Sequence, residues 1–186
     1  MTTIYFVRHS ESDHSVKDNR NRPLTAKGIE NCALVTDFLQ DKKIDVIISS
    51  PYIRAVDTIA GYAESVGLPI HTDEDFRERE HGWAEDWRVD VKKQWTDFSH
   101  KLPGEESINE VQERYVNALK DVLSKYKDKT VIIGTHGMAL SALINFYDNS
   151  FGYDDFMDMA YLTPWVLKMI FDDHEFIAME KINLFD

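Results

Sequence analysis

Apolar residues along this chain follow two rhythms. Short unbroken runs read as buried strands, and stretches with apolar positions three or four apart read as helices. Ile4-Tyr5-Phe6-Val7 places a first strand over residues 2–8. Residues 9–24 are polar and rich in charge and Asn, which suits a functional loop. Thr25 is placed to cap a helix running to about Gln40, with Ile29, Ala33, Leu34 and Phe38 on one face. Asp45–Ser49 reads as a short buried strand. Ser50-Pro51 then reads as an N-cap followed by proline at the first helical position. That helix reaches about Val66, with Ile53, Val56, Ile59, Ala60 and Ala63 at helical spacing. Gly67-Leu68-Pro69 stops it, and Ile70–Thr72 is a third short strand.

Residues 73–105 break the rhythm. They hold Trp83, Trp87 and Trp95 amid many charges and read as a helical lid or insert rather than sheet core. Ser107 caps a long helix to about Tyr126, with Val111, Tyr115, Ala118 or Leu119, and Val122 as its inner stripe. A strand over 130–135, a helix over 137–147 and a closing hairpin of 165–171 with 175–182 follow. The order β-α-β-α-β-insert-α-β-α-β-β predicts an α/β fold. It is a three-layer α/β/α sandwich with a mostly parallel central sheet, an antiparallel edge and helices on both faces. No linker, repeat or low-complexity tract divides the chain, so residues 1–186 read as a single domain.

Charge and composition then remove whole classes of function. Acidic residues outnumber basic ones 33 to 21, a net charge of −12. Such a field repels polyanions, so nucleic acid and anionic membrane are poor partners, and any phosphate site must be a local basic island. A single cysteine, Cys32, excludes an internal disulfide framework and a Cys-based zinc cluster, and reads as a buried packing thiol. The start of the chain lacks the basic and apolar regions of a signal peptide, and no apolar run reaches the roughly 18 residues of a membrane span. The expected location is cytoplasmic.

The chemistry sits at strand ends. The first strand stops at Arg8-His9, and Val131–Thr135 runs into His136-Gly137. In open α/β sheets ligands bind at the carboxyl edge. Two imidazoles facing one pocket, with arginine beside them, imply an anion, most plausibly phosphate.

Four clusters occur in order: Arg8-His9-Ser10-Glu11-Ser12, Leu24-Thr25-Ala26-Lys27-Gly28, Ser49-Ser50-Pro51-Tyr52-Ile53-Arg54-Ala55, and Gly134-Thr135-His136-Gly137. Lesser matches lie between, at Phe76-Arg77-Glu78 with Gly82-Trp83 and at Gly104-Glu105-Glu106-Ser107. Together, over roughly residues 3–145, they resemble the histidine phosphatase superfamily, also called phosphoglycerate mutase-like. The resemblance implies that His9 carries a covalent phosphoryl group, a role suited to a neutral imidazole. It implies a cage of Arg8, Arg54 and His136 for the equatorial oxygens, with Gly137 beside it, and Glu78 as general acid. The helix behind Pro51 adds its N-terminal dipole to that cage.

Three departures stand out. Ser10 replaces the family's usual Gly, Ser15 stands where many relatives have Asn, and Ala84-Glu85 follows Gly82-Trp83 where relatives often read Glu-Gly. Ser10 and Ser15 are kept as candidate substrate contacts. Arg77 and Arg79 are candidates for a substrate carboxylate or second phosphate, or else a solvated charge run. Glu80 is a near neighbour that competes with Glu78 for the acid role. Trp83, Trp87 and Trp95 read first as packing of the insert. His14 reads as surface, and His71, His81, His100 and His174 as structural or exposed. No metal-ligand spacing, Walker loop or Gly-x-Gly-x-x-Gly is present, so neither a metal nor a cofactor is expected. The leading expectation is a phosphomonoester hydrolase working through phospho-His9 on a small-molecule substrate. A phosphoglycerate mutase and a non-catalytic phospholigand-binding regulator are the alternatives.

Overall fold

The computed structural model describes residues 1–82 and 86–185. In chain order they form β1 (Thr2–Arg8), α1 (Ala26–Leu39), β2 (Val46–Ser49), α2 (Ile53–Val66) and β3 (Ile70–Thr72). A 3-10 turn (Glu74–Phe76), α3 (Trp87–Thr96), α4 (Ile108–Lys125) and β4 (Thr130–Thr135) follow, then α5 (Gly137–Tyr147), α6 (Tyr153–Ala160), β5 (Trp165–Asp172) and β6 (Glu175–Ile182). The strands make one sheet in the order β3-β2-β4-β1-β5-β6. The first four are parallel, and β5 and β6 add the antiparallel edge. This is the expected α/β sandwich. Among the described residues no helix is long and apolar enough to cross a membrane.

Side chains alternate through the sheet with the period of two that a strand imposes. Ile4 and Phe6 of β1, with Val131 and Ile133 of β4, pack against α4, α5 and α6. Tyr5 and Val7, with Ile132 and Ile47, pack against α1 and α2. The helices following β1 and β4 thus leave to opposite faces, and the gap between them at the carboxyl edge is where α/β sheets place ligands. Along α4 the expected stripe is correct: Val111, Tyr115, Ala118, Leu119 and Val122 are all buried, behind a capping box of Ser107 and Glu110.

The buried faces of α1 and α2 differ from the expectation. In α1 the inward positions are Gly28, Val35 and Leu39, while Ile29 is 65% exposed and Ala33 is exposed. The two candidate stripes differ by one residue, a rotation of about 100°, and Gly28 decides between them. A Cβ there would stand 2.1 Å from the Glu11 carbonyl oxygen. The loop therefore lies directly on the helix, fixed by Thr25 N–H donating to that same carbonyl at 3.0 Å. Cys32, one turn on, is half-buried rather than buried and donates to the Gly28 carbonyl at 3.2 Å.

In α2 the inner face is Arg54, Ala55, Thr58, Ile59, Tyr62 and Ala63. Ile53 is exposed, and Val56 and Ala60 are only half-buried. The rotation brings Arg54 and Thr58 under the sheet edge, where Thr58 Oγ1 accepts from Ser10 N–H at 2.9 Å. Pro51 lies outside the helix, whose N-cap is Tyr52.

The insert holds α3, and Trp95 packs edge-on to Phe98 and beside Phe156, as expected of a packing residue. Trp83 and the Ala84-Glu85 departure lie outside the described residues. Helix α6 was not expected from sequence.

Gly28→Ala should destabilise the fold by about 3 kcal/mol, because a methyl group meets backbone that cannot give. Gly152→Ala, where a Cβ meets nothing within 4 Å, is the control and should unfold near the wild-type temperature in a thermal melt.

Candidate active site

Backbone pairing brings the two histidines together. Arg8 is registered with Thr135, and His9 N–H extends the ladder by donating to the Thr135 carbonyl at 3.0 Å. Ser50 N–H donates to the Gly134 carbonyl from the other side at 2.9 Å. His9, His136 and Ser50 therefore stand at three adjacent strand tips. The His9 and His136 rings meet edge to face with centroids 5.2 Å apart, and Tyr52 packs on the other side of His136 at 5.0 Å.

Each ring has one nitrogen committed. His9 Nδ1 lies 2.7 Å from the Ser10 carbonyl, which only accepts, so the proton sits on Nδ1 and Nε2 keeps its lone pair. His136 Nε2 pairs with Ser50 Oγ at 2.7 Å, and its buried Nδ1 has no partner. Burial, followed by the guanidinium of Arg54, pushes both histidines well below the ordinary imidazole range; Arg8 adds to the effect. Both rings are neutral at pH 7.

Arginines form the rest of the cage. Arg8 is buried and donates from Nη1 to the Met159 carbonyl at 2.5 Å and to the Leu162 carbonyl at 3.3 Å. Its Nη2 donates to the Ala160 carbonyl at 3.2 Å. Those carbonyls lie at the C-terminal end of α6, the negative end of its dipole. Arg54, 2% exposed, donates to the Asn19 carbonyl and, at 3.1 Å, to Asn19 Oδ1. Burial lowers both guanidinium pKa values to about 10, which leaves them charged at neutral pH. The Nε–H groups of both arginines, and Asn19 Nδ2, are buried without partners.

These groups face a cavity of about 460 Å³. Glu78 enters it from the irregular segment after the 3-10 turn, docked on the start of α5. Its Oε1 accepts from Ala139 N–H at 2.9 Å and Arg79 N–H at 2.8 Å, and its Oε2 from Met138 N–H at 3.2 Å. The lining also includes the apolar side chains of Trp87, Val91, Met138, Phe156 and Tyr161, with Asp90 between the first two. Among the described residues no group of three or more His, Cys, Asp or Glu is arranged to hold a metal ion.

The structure thus brings together Arg8, His9, Arg54, Glu78, Arg79 and Gly137 around the cavity, with His136 fully buried against His9. Gly137 is bare because the Arg8 guanidinium lies against it, 3.2 Å from where a Cβ would be. Ser10, Ser15 and Arg77 do not line it. Ser10 is fully buried beneath His9, held through its backbone. Ser15 is exposed and donates twice to Asp13 Oδ1, which turns it outward. Arg77 points the other way, to Glu106 Oε1 at 2.9 Å. Glu80 is exposed and does not line the cavity.

Sequence reasoning missed Asn19, Arg22, His14 and His81, all of which line the cavity. Arg22 is 4% exposed and lies 3.1 Å from His14 Nδ1. The signal was the basic run Arg20-Asn21-Arg22 in an acidic chain, just before Leu24-Thr25.

Comparison with known proteins gives a consistent result. The model of the histidine phosphatase superfamily (branch 1) matches residues 4–176. The chain is 32% identical over 149 residues to the uncharacterized phosphatase PhoE of Bacillus subtilis, covering 77% of this chain and 76% of that one. It is 30% identical over 158 residues to putative phosphoserine phosphatase 2 of Hydrogenobacter thermophilus, covering 77% of each. A solved phosphoserine phosphatase mutant from Entamoeba histolytica, in complex with phosphoserine, superposes with a TM-score of 0.82 at 19% identity. That match covers 99% of this chain and 98% of the other.

Histidines held neutral in the fold but free to protonate when unfolded make stability depend on pH with a definite sign. The contribution is whole above the unfolded imidazole pKa of about 6.5 and is lost as pH falls below it, since the unfolded chain then binds more protons. Denaturant titrations should show stability dropping by roughly 1 kcal/mol per buried histidine between about pH 7.5 and 5.5. His136→Gln should show a correspondingly shallower drop, and an unchanged slope would mean that His136 binds a proton as readily in the fold as in the unfolded chain.

Proposed function

The chain belongs to the histidine phosphatase superfamily, and on that premise we propose that it is a metal-independent phosphomonoester hydrolase that works through a phosphohistidine on a small phosphorylated metabolite. The observation that carries this reading is the set of buried N–H groups without partners around His9: Arg8 Nε, Arg54 Nε and Asn19 Nδ2. Each unsatisfied buried donor costs about 1–3 kcal/mol. A phosphoryl group has the oxygens to satisfy all of them.

The reaction runs in two halves. His9 Nε2 attacks phosphorus with its lone pair, and the bond from phosphorus to the ester oxygen breaks. Glu78 gives the departing oxygen a proton. The Nδ1–H bond to the Ser10 carbonyl holds the attacking tautomer and supports the positive charge that the ring acquires. Arg8 and Arg54 neutralise the oxygens in flight, with the neutral His136 ring beside them, so no metal ion is needed for that task. A water molecule then attacks phosphorus and passes a proton to Glu78. Phosphate leaves, and the His9 lone pair is restored.

A cavity of about 460 Å³ lined by arginines and by several apolar side chains supports a compact ester whose alcohol half has some hydrocarbon surface.

His9→Ala should abolish phosphate release from 4-nitrophenyl phosphate. Rapid quenching of the wild-type protein with ³²P-labelled substrate should trap an acid-labile, alkali-stable adduct. Unchanged turnover in the variant, or phosphate release with no such adduct, would sink the reading. Arg54→Ala should lower kcat by about 10²–10³-fold, the cost of one preorganised donor. With 3-phosphoglycerate the products should be glycerate and phosphate; 2-phosphoglycerate would instead identify a mutase.

A further inference from the structure

Glu78 sits on a stretch of chain with no secondary structure of its own: residues 77–82 form neither helix nor strand. A carboxylate on such a stretch is only as well placed as the groups that hold its backbone. Those groups come from the start of α4 and the turn before it. Arg114 Nη1 donates to the carbonyls of Asp75 at 2.7 Å and Arg77 at 3.1 Å, and its Nη2 reaches the Glu78 carbonyl at 3.5 Å. The remaining edge of that guanidinium is taken by Glu106, Nε to Oε1 at 2.9 Å and Nη2 to Oε2 at 2.8 Å, a two-pronged pair. Glu106 in turn accepts from Glu80 N–H at 2.8 Å and Arg77 Nη2 at 2.9 Å. Its own N–H donates to the Glu80 carbonyl at 2.9 Å. The backbone is thus gripped on both sides of Glu78.

We propose that Glu106 and Arg114 are a positioning pair that sets the Glu78 carboxylate at the cleaved bond. The proposal rests on the reading of Glu78 as proton donor. Neither residue lines the cavity, so neither touches substrate; they act through the backbone of 75–80. The pair is well suited to holding a fixed position. Its side chains are 10% and 17% exposed, and the planar guanidinium spans several acceptors at once, which a lysine ammonium cannot do. Tyr115, the next residue of α4, adds to the grip by donating to the Phe76 carbonyl at 2.5 Å. The Gly104-Glu105-Glu106-Ser107 cluster, one of the lesser matches in the sequence, thereby acquires a role. Glu105 holds the far end of the same stretch, accepting from Gly82 N–H at 2.7 Å and pairing with Arg79 at 3.3 Å.

A displaced general acid has a signature that general loosening lacks. 4-Nitrophenolate departs without a proton, whereas an alkoxide needs one. The ratio of kcat/KM for benzyl phosphate to that for 4-nitrophenyl phosphate therefore reports on the acid alone, and kcat/KM covers the step that phosphorylates His9. Glu78→Gln should lower this ratio. Glu106→Gln and Arg114→Lys should lower it too, by about tenfold or more, as expected when a catalytic group is shifted by a fraction of an ångström. The kcat/KM for 4-nitrophenyl phosphate should stay within about threefold of wild type, since that constant stops at phosphorylation of His9 and the cage around His9 is intact. Arg114→Lys keeps the charge beside Glu106 and decides the matter if Glu106→Gln does not fold. An unchanged ratio in both variants, with Glu78→Gln still lowering it, overturns the proposal and leaves the pair as a structural brace. If Glu78→Gln itself leaves the ratio unchanged, the proton-donor reading falls first and the role of the pair falls with it.

Discussion

Parallel hydrogen bonding between β1 and β4 is the constraint on which the site depends. It registers Arg8 with Thr135 and sets His9 next to His136. A slip of one residue would turn His9 to the other face of the sheet and separate the rings. The same pairing engages β2, because Ser49 is registered with Gly134 and Ser50 N–H closes on the Gly134 carbonyl. A Cβ at 134 would stand 2.5 Å from Ser49 Oγ, so the bare glycine is what allows this close approach. Three strand tips and the helices that follow them are thereby locked into one arrangement before any side-chain chemistry is considered.

On that frame, charge does the rest. A chain of net charge −12 concentrates buried arginines at one point. Their proximity and the loss of water act on the histidines in the same direction, and both favour the neutral ring. Neutrality gives His9 a free lone pair at the pH of a cell. The guanidinium groups keep their own charge by leaning on backbone carbonyls at residues 19, 159, 160 and 162. The donors left over are a cost to the folded state, of the kind proteins accept at functional sites.

Much of this was legible because it is written in local patterns. Strands ending in Arg8-His9 and His136-Gly137 announced the site, and the stripe of α4 announced one face of the core. What escaped depends on partners distant in sequence. The rotation of α1 is set by the backbone of Glu11 against Gly28, which no periodicity of α1 contains. The rotation of α2 follows from burying a charged residue, Arg54, which an apolar count scores as surface. Ser15 and Arg77 were drawn in by their neighbours in sequence, yet Asp13 and Glu106 hold them elsewhere. Arg22 and Asn19 come from a loop whose path is fixed only by tertiary contacts. Helix α6 is short and acidic in its first turn, with Phe156 and Met159 as its buried residues, so its apolar stripe is too brief to register.

The grip of α6 on Arg8 also bears on how the molecule is made. Arg8 leaves the ribosome well before the carbonyls that hold it, which come 151 to 154 positions later. The central strand waits likewise, since β1 has no neighbour until β4 is synthesised at residues 130–135. Until then a nascent chain carries the His9 imidazole without the neighbours that bury it and hold it neutral. The pocket around His9 is complete only once residues 130–162 have joined β1 and Arg8.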